Sequence, residues 1–404
     1  MADKPLTRLE DALEQILGQV PVPDASETID LADSLGRVLA EDYRVPADVP
    51  PADNSAVDGY ALRLADLADG TPIAISNRIP AGAAPSALTP GTAARIFTGS
   101  EIPEGADSVV MQENTQLENG SLSVTSAVTL GQNIRRRGQD LAQGALALPA
   151  GTRIRPQEMG LLASIGHAHL SVRPRLKVAF FSTGDELVSP GQALGPGQIY
   201  NSNRFMLAGL LAEAGCELVT SDTLKDVRES TRDALQRAAS GADLMITTGG
   251  VSVGEEDHVR AVMEEMGSLS LWRLAIKPGK PLAFGKISGT PVLGLPGNPG
   301  SVLATFLMVG MPLIRHLQGR NDPNITGDRV AVNFPVEKTS IRREFLRVRR
   351  AKVEERPVLE AHPNQGSGLL SSACWADGLA VVPENTTLEP GDLVTYLSFE
   401  ELLR

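Results

Sequence analysis

Apolar residues recur at helical spacing near the start of the chain, where Leu9, Leu13, Ile16, Leu17 and Val20 share one stripe. Thr7 and Glu10 have the spacing of a capping box that would open this helix, and PVPDAS ends it. A second helical stretch, Asp30 to Ala40, places Leu31, Leu35, Val38 and Leu39 on one side by the same rule. From Val45 to about Gly151 the texture changes to short runs such as TPIAIS, AARIFTG, DSVVMQE and SLSVTSAVTL, broken by Gly, Pro and Asn. This pattern predicts a mainly β domain with several turns. It contains two polar, turn-like segments, PPADNSAVDGYA (50–61) and NIRRRGQDLAQG (133–144).

From Arg175 strands and helices alternate. RLKVAFF, CELVTSD and DLMITTGG have the form of strands. SNRFMLAGLLAEAG, VRESTRDALQRAAS and DHVRAVMEEMG have the form of helices, the first capped near Asn201 or Ser202 and stopped at Gly215. KPGKPLAFGK and TPVLGLPGNPGS follow as strands with Pro-Gly turns, and a long apolar helix spans about 301–318. Such alternation predicts a doubly wound, mostly parallel sheet. After Gly319, β texture returns in RVAVNFPV, FLRVRRAKV, GLAVVP and DLVTYLSF, giving a small C-terminal β domain over 321–404.

Length and composition narrow the class. A chain of 404 residues exceeds one ordinary core, so about two to four domains are expected. With 42% apolar and 21% charged residues, it fits a globular protein without a membrane span. The uncharged run 301–314 is short for a membrane helix and suits a buried one. The opening MADKPLTRLEDALEQ lacks a basic and apolar leader, and only Cys216 and Cys374 are present, so a cytoplasmic location is expected. Cys216 begins an apolar strand and is expected in the core. A net charge of −12 and 4% aromatics disfavour nucleic acid as partner. The run Arg135-Arg136-Arg137 fits either a solvated turn or an anion clamp.

The candidate chemistry gathers at strand ends, where ligands bind in open α/β sheets. RLKVAFF delivers Ser182, Thr183, Gly184, Asp185 and Glu186; CELVTSD leads to Asp226; DLMITT delivers Gly249, Gly250, Ser252 and then Asp257. Helix capping accounts for each acidic residue alone, but three of them beside a glycine loop favour a site. The Pro-Gly turns KPGKP and LPGNP add Lys277, Lys280, Pro296, Gly297, Asn298 and Pro299 at the same edge. Carboxylates facing a phosphate repel it unless cations intervene. TTGGVSVGEED therefore has the form of a phosphate loop with metal ligands attached, and Mg²⁺ suits oxygen ligands of this kind.

At these residues the chain resembles a known family. STGDE, TTGGVSVGEEDH, KPGKP, LPGNP, NSAVDGYA, IFTGSEIPEGADSVVMQE, RRRGQDLAQG and NQGSGLLSSA together resemble the bacterial MoeA-type molybdopterin molybdenumtransferases, which are similar to the E domain of gephyrin. The resemblance implies insertion of molybdenum from molybdate into adenylyl-molybdopterin, with release of AMP and help from Mg²⁺. It also implies a homodimer of four-domain subunits, to which other molybdenum cofactor biosynthesis proteins could hand substrate. By that analogy, 1–26 and 175–320 form a doubly wound molybdopterin-binding domain, 27–45 and 141–174 a linking domain, and 46–140 a mainly β inserted domain. Matched by position, Asp58, Thr98, Asp140, Glu186, Asp226, Asp257, Lys277 and Lys280 are the expected catalytic group, with Glu186 and Asp257 as metal ligands. Departures are Val57 before Asp-Gly-Tyr and Arg273 where Lys is frequent. Two other activities fit parts of the pattern, a molybdopterin adenylyltransferase and a non-catalytic molybdopterin-binding scaffold.

Overall fold

The protein is described by a computed structural model covering residues 5–224, 227–250, 258–322 and 325–403. Its largest sheet has six strands in the order Glu217–Leu224, Lys177–Thr183, Leu244–Thr248, Thr290–Leu295, Pro281–Ile287, Gly267–Arg273. The first four are parallel and the last two run antiparallel to their neighbours. Successive side chains in these strands point to opposite faces, and the two cores divide accordingly. Val178, Phe180, Leu244, Ile246, Leu293 and Leu295 belong to one core. Ala179, Phe181, Met245 and Val292 belong to the other.

Helices cover both faces. α1 (Leu9–Leu17), α3 (Ser202–Glu213) and α6 (Pro299–Leu317) bury Ile16, Leu207, Phe306 and Leu313 in the first core. α4 (Arg228–Ala239) and α5 (His258–Met266) bury Leu235 and Val262 in the second. α3 forms where expected, with the Asn201 side chain accepting from the Arg204 N–H at 3.1 Å and Gly215 beyond its end. α6 is long and apolar enough to cross a membrane by composition, yet it lies inside the protein, 94% buried. It is α-helical except for a π turn at Phe306–Gly310.

The N-terminal expectations are corrected in two places. Thr7 does not cap α1: it bridges Leu274, and Arg8 stands at the cap position without a side-chain bond. Glu10 turns instead to Arg343, 2.5 Å away. The helix expected over 30–40 is also absent. Glu27–Asp30 is a strand paired with His169–Val172, followed by one 3₁₀ turn, Leu31–Asp33. Gly36 has φ of 75°, which ends any right-handed helix there, and Val38 and Leu39 bridge Arg153 and Val172. Both are buried while Leu35 is 55% exposed, a ribbon pattern. The core beside this ribbon includes Leu39, Tyr43, Leu162 from α2 (Pro156–Ser164) and Leu170.

Between these segments lies a six-stranded β unit ordered Ser108–Met111, Gly59–Leu62, Thr92–Ile96, Ile73–Ile79, Ser121–Val124, Thr115–Glu118. At the C-terminal end, Arg343–Val353, Arg356–Ala361, Asp328–Val332, Leu393–Ser398 and Gly378–Val382 close into a barrel, because the first and last of these also pair. The short strand Ile276–Lys277 adds to the Arg343–Val353 strand, tying the barrel to the doubly wound sheet.

Because Phe306 is wholly buried at the centre of α6, Phe306→Ala should cost about 3–5 kcal/mol of stability, read as a lower midpoint in denaturant.

Candidate functional site

The carboxyl ends of the parallel strands meet at one edge. Lys177–Thr183 delivers Ser182 and Thr183, and Leu244–Thr248 delivers Gly249 and Gly250 beside them. Gly249 and Gly250 have φ of 77° and 63°. A methyl group on Gly249 would stand 2.8 Å from both the Thr183 carbonyl oxygen and Oγ1, and one on Gly250 3.0 Å from Thr183 Oγ1. Two successive positive φ values and this close approach leave no room for a side chain, so the loop presents bare backbone. The Gly249 N–H donates to the Leu295 carbonyl at 3.3 Å, bringing the LPGNP turn alongside. Thr247 and Thr248 end their strand with hydroxyls that are buried and find no hydrogen-bond partner among the described residues. Unpartnered buried hydroxyls at a strand end call for a water or ligand.

Asparagines hold this edge. Asn201 Oδ1 accepts from Ser182 Oγ at 3.3 Å, and Asn201 Nδ2 donates to Thr223 Oγ1 at 3.1 Å. Asn203 Nδ2 donates to the Gly297 carbonyl at 2.8 Å. Asp185 and Glu186 follow on the exposed side, with the Glu186 carboxylate lying over Gly184. The Glu186 carbonyl accepts from the Ile199 N–H at 2.8 Å, which fixes its backbone. Asp226, Ser252 and Asp257 lie outside the described residues. Among the described residues no group of three or more potential metal ligands forms.

The Pro-Gly turns join this edge to the C-terminal barrel. Asn298 Nδ2 donates to Ser367 Oγ at 3.2 Å, and the Gly300 N–H to the Ser367 carbonyl at 2.7 Å. Pro299 is the first residue of α6, where its missing N–H costs nothing, and Pro296 precedes the turn. The KPGKP turn rests on the same helix, Gly279 packing against Thr305. Lys277 Nζ lies 3.0 Å from Glu344 of the barrel, a half-exposed pair worth about 1 kcal/mol or less. Lys280 is partly buried three residues on.

A second cluster forms at one end of the β unit. Asp58 Oδ1 accepts from the Thr98 N–H at 2.7 Å and from Thr98 Oγ1 at 2.8 Å. These two bonds, the backbone one first, hold the exposed Asp58 carboxyl below its ordinary range, and Arg95 adds to the effect. Arg95 is gripped between the Tyr60 and Phe97 rings, 5.1 and 4.9 Å from their centres, and donates to Gln112 Oε1 at 2.6 Å. The segment 133–144 is stitched to 48–55: Arg136 and Arg137 pair with Asp53 and Asp48 at 2.6 and 2.5 Å, and Asn54–Ser55 pairs with Ile134–Arg135. Two arginines of the run, Arg136 and Arg137, are thus engaged by carboxylates. Asp140 is exposed there, its N–H donating to the Val49 carbonyl. Asp58, Thr98 and Asp140 therefore sit on neighbouring loops. Among the described residues, no hydrogen bond or ion pair joins them to the edge of the doubly wound sheet within one chain.

Sequence patterns did not single out Asn201 and Asn203 as braces, Arg95, or Arg347. The last is buried, with Nε donating to Ser372 Oγ at 3.0 Å and Nη2 to the Gly366 carbonyl. Burial pushes its pKa down. The NQGSG stretch was a usable signal for this contact; nothing in the sequence marks Arg95. Cys216 packs against the first core as expected, and burial pushes its thiol up to about 12.

Comparison with known proteins accounts for nearly the whole chain. Residues 7–166 match the MoeA N-terminal region (domain I and II), 179–316 a probable molybdopterin binding domain, and 329–399 the MoeA C-terminal region (domain IV). The chain is 38% identical to a molybdopterin molybdenumtransferase of Haemophilus influenzae, covering 98% of this chain and 99% of that one. It is 36% identical to molybdopterin molybdenumtransferase 2 of Mycobacterium tuberculosis, over 89% and 91%. A solved molybdopterin biosynthesis moeA protein of Pyrococcus horikoshii OT3 superposes with a TM-score of 0.85 at 28% identity, covering 98% of this chain and all of that one. With these three family matches and a relative 38% identical over nearly its whole length, the chain belongs to the MoeA family.

Proposed function

We propose that this protein is a transferase of molybdenum cofactor biosynthesis that takes adenylyl-molybdopterin and molybdate, cleaves the pyrophosphate link and releases AMP with metal-loaded molybdopterin. The observation that carries the reading is the bare glycine pair Gly249–Gly250 pressed against Thr183, three residues before the exposed Glu186. Backbone N–H groups in such a loop cradle phosphate without a side chain between, and the loop fixes the adenylate. Lys277 and Lys280 neutralise the oxyanions of molybdate and phosphate.

The residues present suit a hard divalent cation. Glu186 supplies an exposed carboxylate just beyond the strand that ends at Thr183, an oxygen ligand of the kind such a cation prefers. Glu186 and Asp257 would hold Mg²⁺, which when bound draws charge from the phosphoanhydride. Asp58, Thr98 and Asp140 belong to the wall facing this edge. Asp58 stays ionised there and orients a polar group of the pterin or accepts its proton. We assign that wall to the partner subunit of a homodimer, a reading supported by the separation of the two clusters within one chain. The cytoplasm is the location we assign, supported by the two cysteines being free.

The adenylyltransferase and scaffold readings are weaker. Similarity over nearly the full length to named molybdenumtransferases, with Asp58 and Glu186 present, favours the proposed reaction.

Purified protein given adenylyl-molybdopterin and molybdate should release AMP only when divalent metal is present. Glu186→Ala and Asp257→Ala should each slow release about 100-fold or more, and wild-type rates in both would remove them from the reaction. For Asp58 the lowered pKa fixes the sign: the Thr98 bonds stabilise the fold above the ordinary carboxyl range, and that contribution disappears as pH falls through the lowered value. Carbon-detected NMR titration should place Asp58 below an ordinary aspartate, and Thr98→Val should move it upward while the backbone bond remains. An unchanged titration in that variant would exclude the hydroxyl as a cause.

A further inference from the structure

We propose that Arg95 is a positioning residue for Asp58: it fixes the peptide that carries this carboxylate and sets a positive charge beside it, and so acts on the transferase reaction through Asp58. The inference rests on the role given to Asp58 above.

Asp58 needs outside support because it is exposed and stands just before the strand Gly59–Leu62. The Thr98 N–H and hydroxyl both donate to one oxygen of its carboxylate, Oδ1. A carboxylate is no better placed than the peptide it hangs from, so the backbone at 58 and 59 must be held as well.

Arg95 supplies that hold. The strand Gly59–Leu62 lies between Thr92–Ile96 and Ser108–Met111. Arg95 starts on the first neighbour and reaches the end of the second. Its Nη1 donates to the Gly59 carbonyl at 3.3 Å, and its Nη2 to Gln112 Oε1 at 2.6 Å. Gln112 opens the turn after Ser108–Met111, and its own N–H donates to the Asp58 carbonyl at 3.1 Å. The guanidinium therefore ties the carbonyl of residue 59 directly and that of residue 58 through Gln112. The strand has no slack at this point, since a methyl group on Gly59 would collide with the Val110 carbonyl oxygen.

The sheet itself places the guanidinium. Tyr60 is the register partner of Arg95, and Phe97 follows two residues on. Opposed residues of an antiparallel pair have neighbouring side chains, which brings the Tyr60 ring to Arg95. The guanidinium carbon lies 5.1 and 4.9 Å from the two ring centres, within cation–π reach of both. A planar guanidinium stacks through its faces and donates along its edge; an ammonium is a point charge without such a fork.

The charge of Arg95 is left uncancelled. Both terminal nitrogens donate to neutral oxygens, and among the described residues no carboxylate pairs with it. Asp58 is held low first by the Thr98 backbone bond, then by the Thr98 hydroxyl, with the Arg95 charge added through space. One side chain thus fixes where Asp58 stands and favours its ionised form.

Asp58→Asn, Arg95→Met and Arg95→Lys test this in the full chain supplied with adenylyl-molybdopterin, molybdate and Mg²⁺, with denaturant midpoints measured alongside. Arg95→Met should slow AMP release at least about tenfold, and combined with Asp58→Asn it should add nothing to that variant's loss. Carbon-detected titration should place Asp58 higher in Arg95→Met, because a nearby positive charge has gone. Arg95→Lys keeps a cation beside the rings and carries the test if the methionine variant folds poorly. It should leave the Asp58 titration near that of the wild type yet still slow release about threefold or more, since the fork is lost. Additive losses in the double variant, an unmoved Asp58 in Arg95→Met, or wild-type release by Arg95→Lys would overturn the proposal. Loss in Asp58→Asn beside normal release in Arg95→Met would strike the proposal alone, whereas wild-type release by Asp58→Asn would remove the role of Asp58 and the proposal with it.

Discussion

The burial of α6 is the constraint on which the rest depends. An apolar helix of 19 residues, 94% buried, can exist in water only if other elements cover it on every side. The doubly wound sheet supplies one cover, α1 and α3 another, and the barrel closes over the remainder through Phe345, Leu379, Leu397 and Leu402. Because a helix is stiff, whatever is fixed at one end is placed relative to the other. Its first turn carries Pro299 and contacts Ser367, under the KPGKP turn. Its last turns carry Arg315, which holds the carbonyls of the C-terminal helix. The candidate catalytic edge and the C-terminal helix Phe399–Leu403 thus meet two ends of one buried rod.

This arrangement explains why the edge tolerates so many unsatisfied or crowded groups. Gly249 and Gly250 sit at positive φ against Thr183, and Thr247 and Thr248 bury hydroxyls without partners among the described residues. Glycine takes the positive φ without strain, but the unpartnered hydroxyls are unfavourable alone and persist only where surrounding packing holds them. Phe180, Ile246 and Leu293, all wholly buried directly behind the edge, provide that packing. Asn201 and Asn203 then convert the rigid floor into fixed positions for Ser182 and the LPGNP turn.

The sequence made the doubly wound region legible because its signals are local. Alternating apolar strands, the Asn201 cap and the Gly215 stop act within a few residues of where they are read. It misled at 30–40, where Leu31, Leu35, Val38 and Leu39 have helical spacing but Gly36 turns left-handed and partners arrive from Arg153 and Val172. It misled at Thr7 as well, because Glu10 finds a stronger partner in Arg343, far along the chain. The antiparallel pair Gly267–Arg273 and Pro281–Ile287 at the sheet edge has no local mark either. In the site, the glycine loop and the Asp58 segment were visible as motifs. Arg95 and Arg347 were not, since each acquires its surroundings from segments distant in sequence.

The π turn at Phe306–Gly310 has a geometric result. One additional residue within a helix rotates everything downstream by about 100° relative to an unbroken α-helix. The azimuth at which Arg315 leaves the rod is thus set in part by this widened turn. Excising a single residue from it would preserve the apolar composition, yet swing the guanidinium away from the final helix and carry a different face of the last two turns toward the barrel.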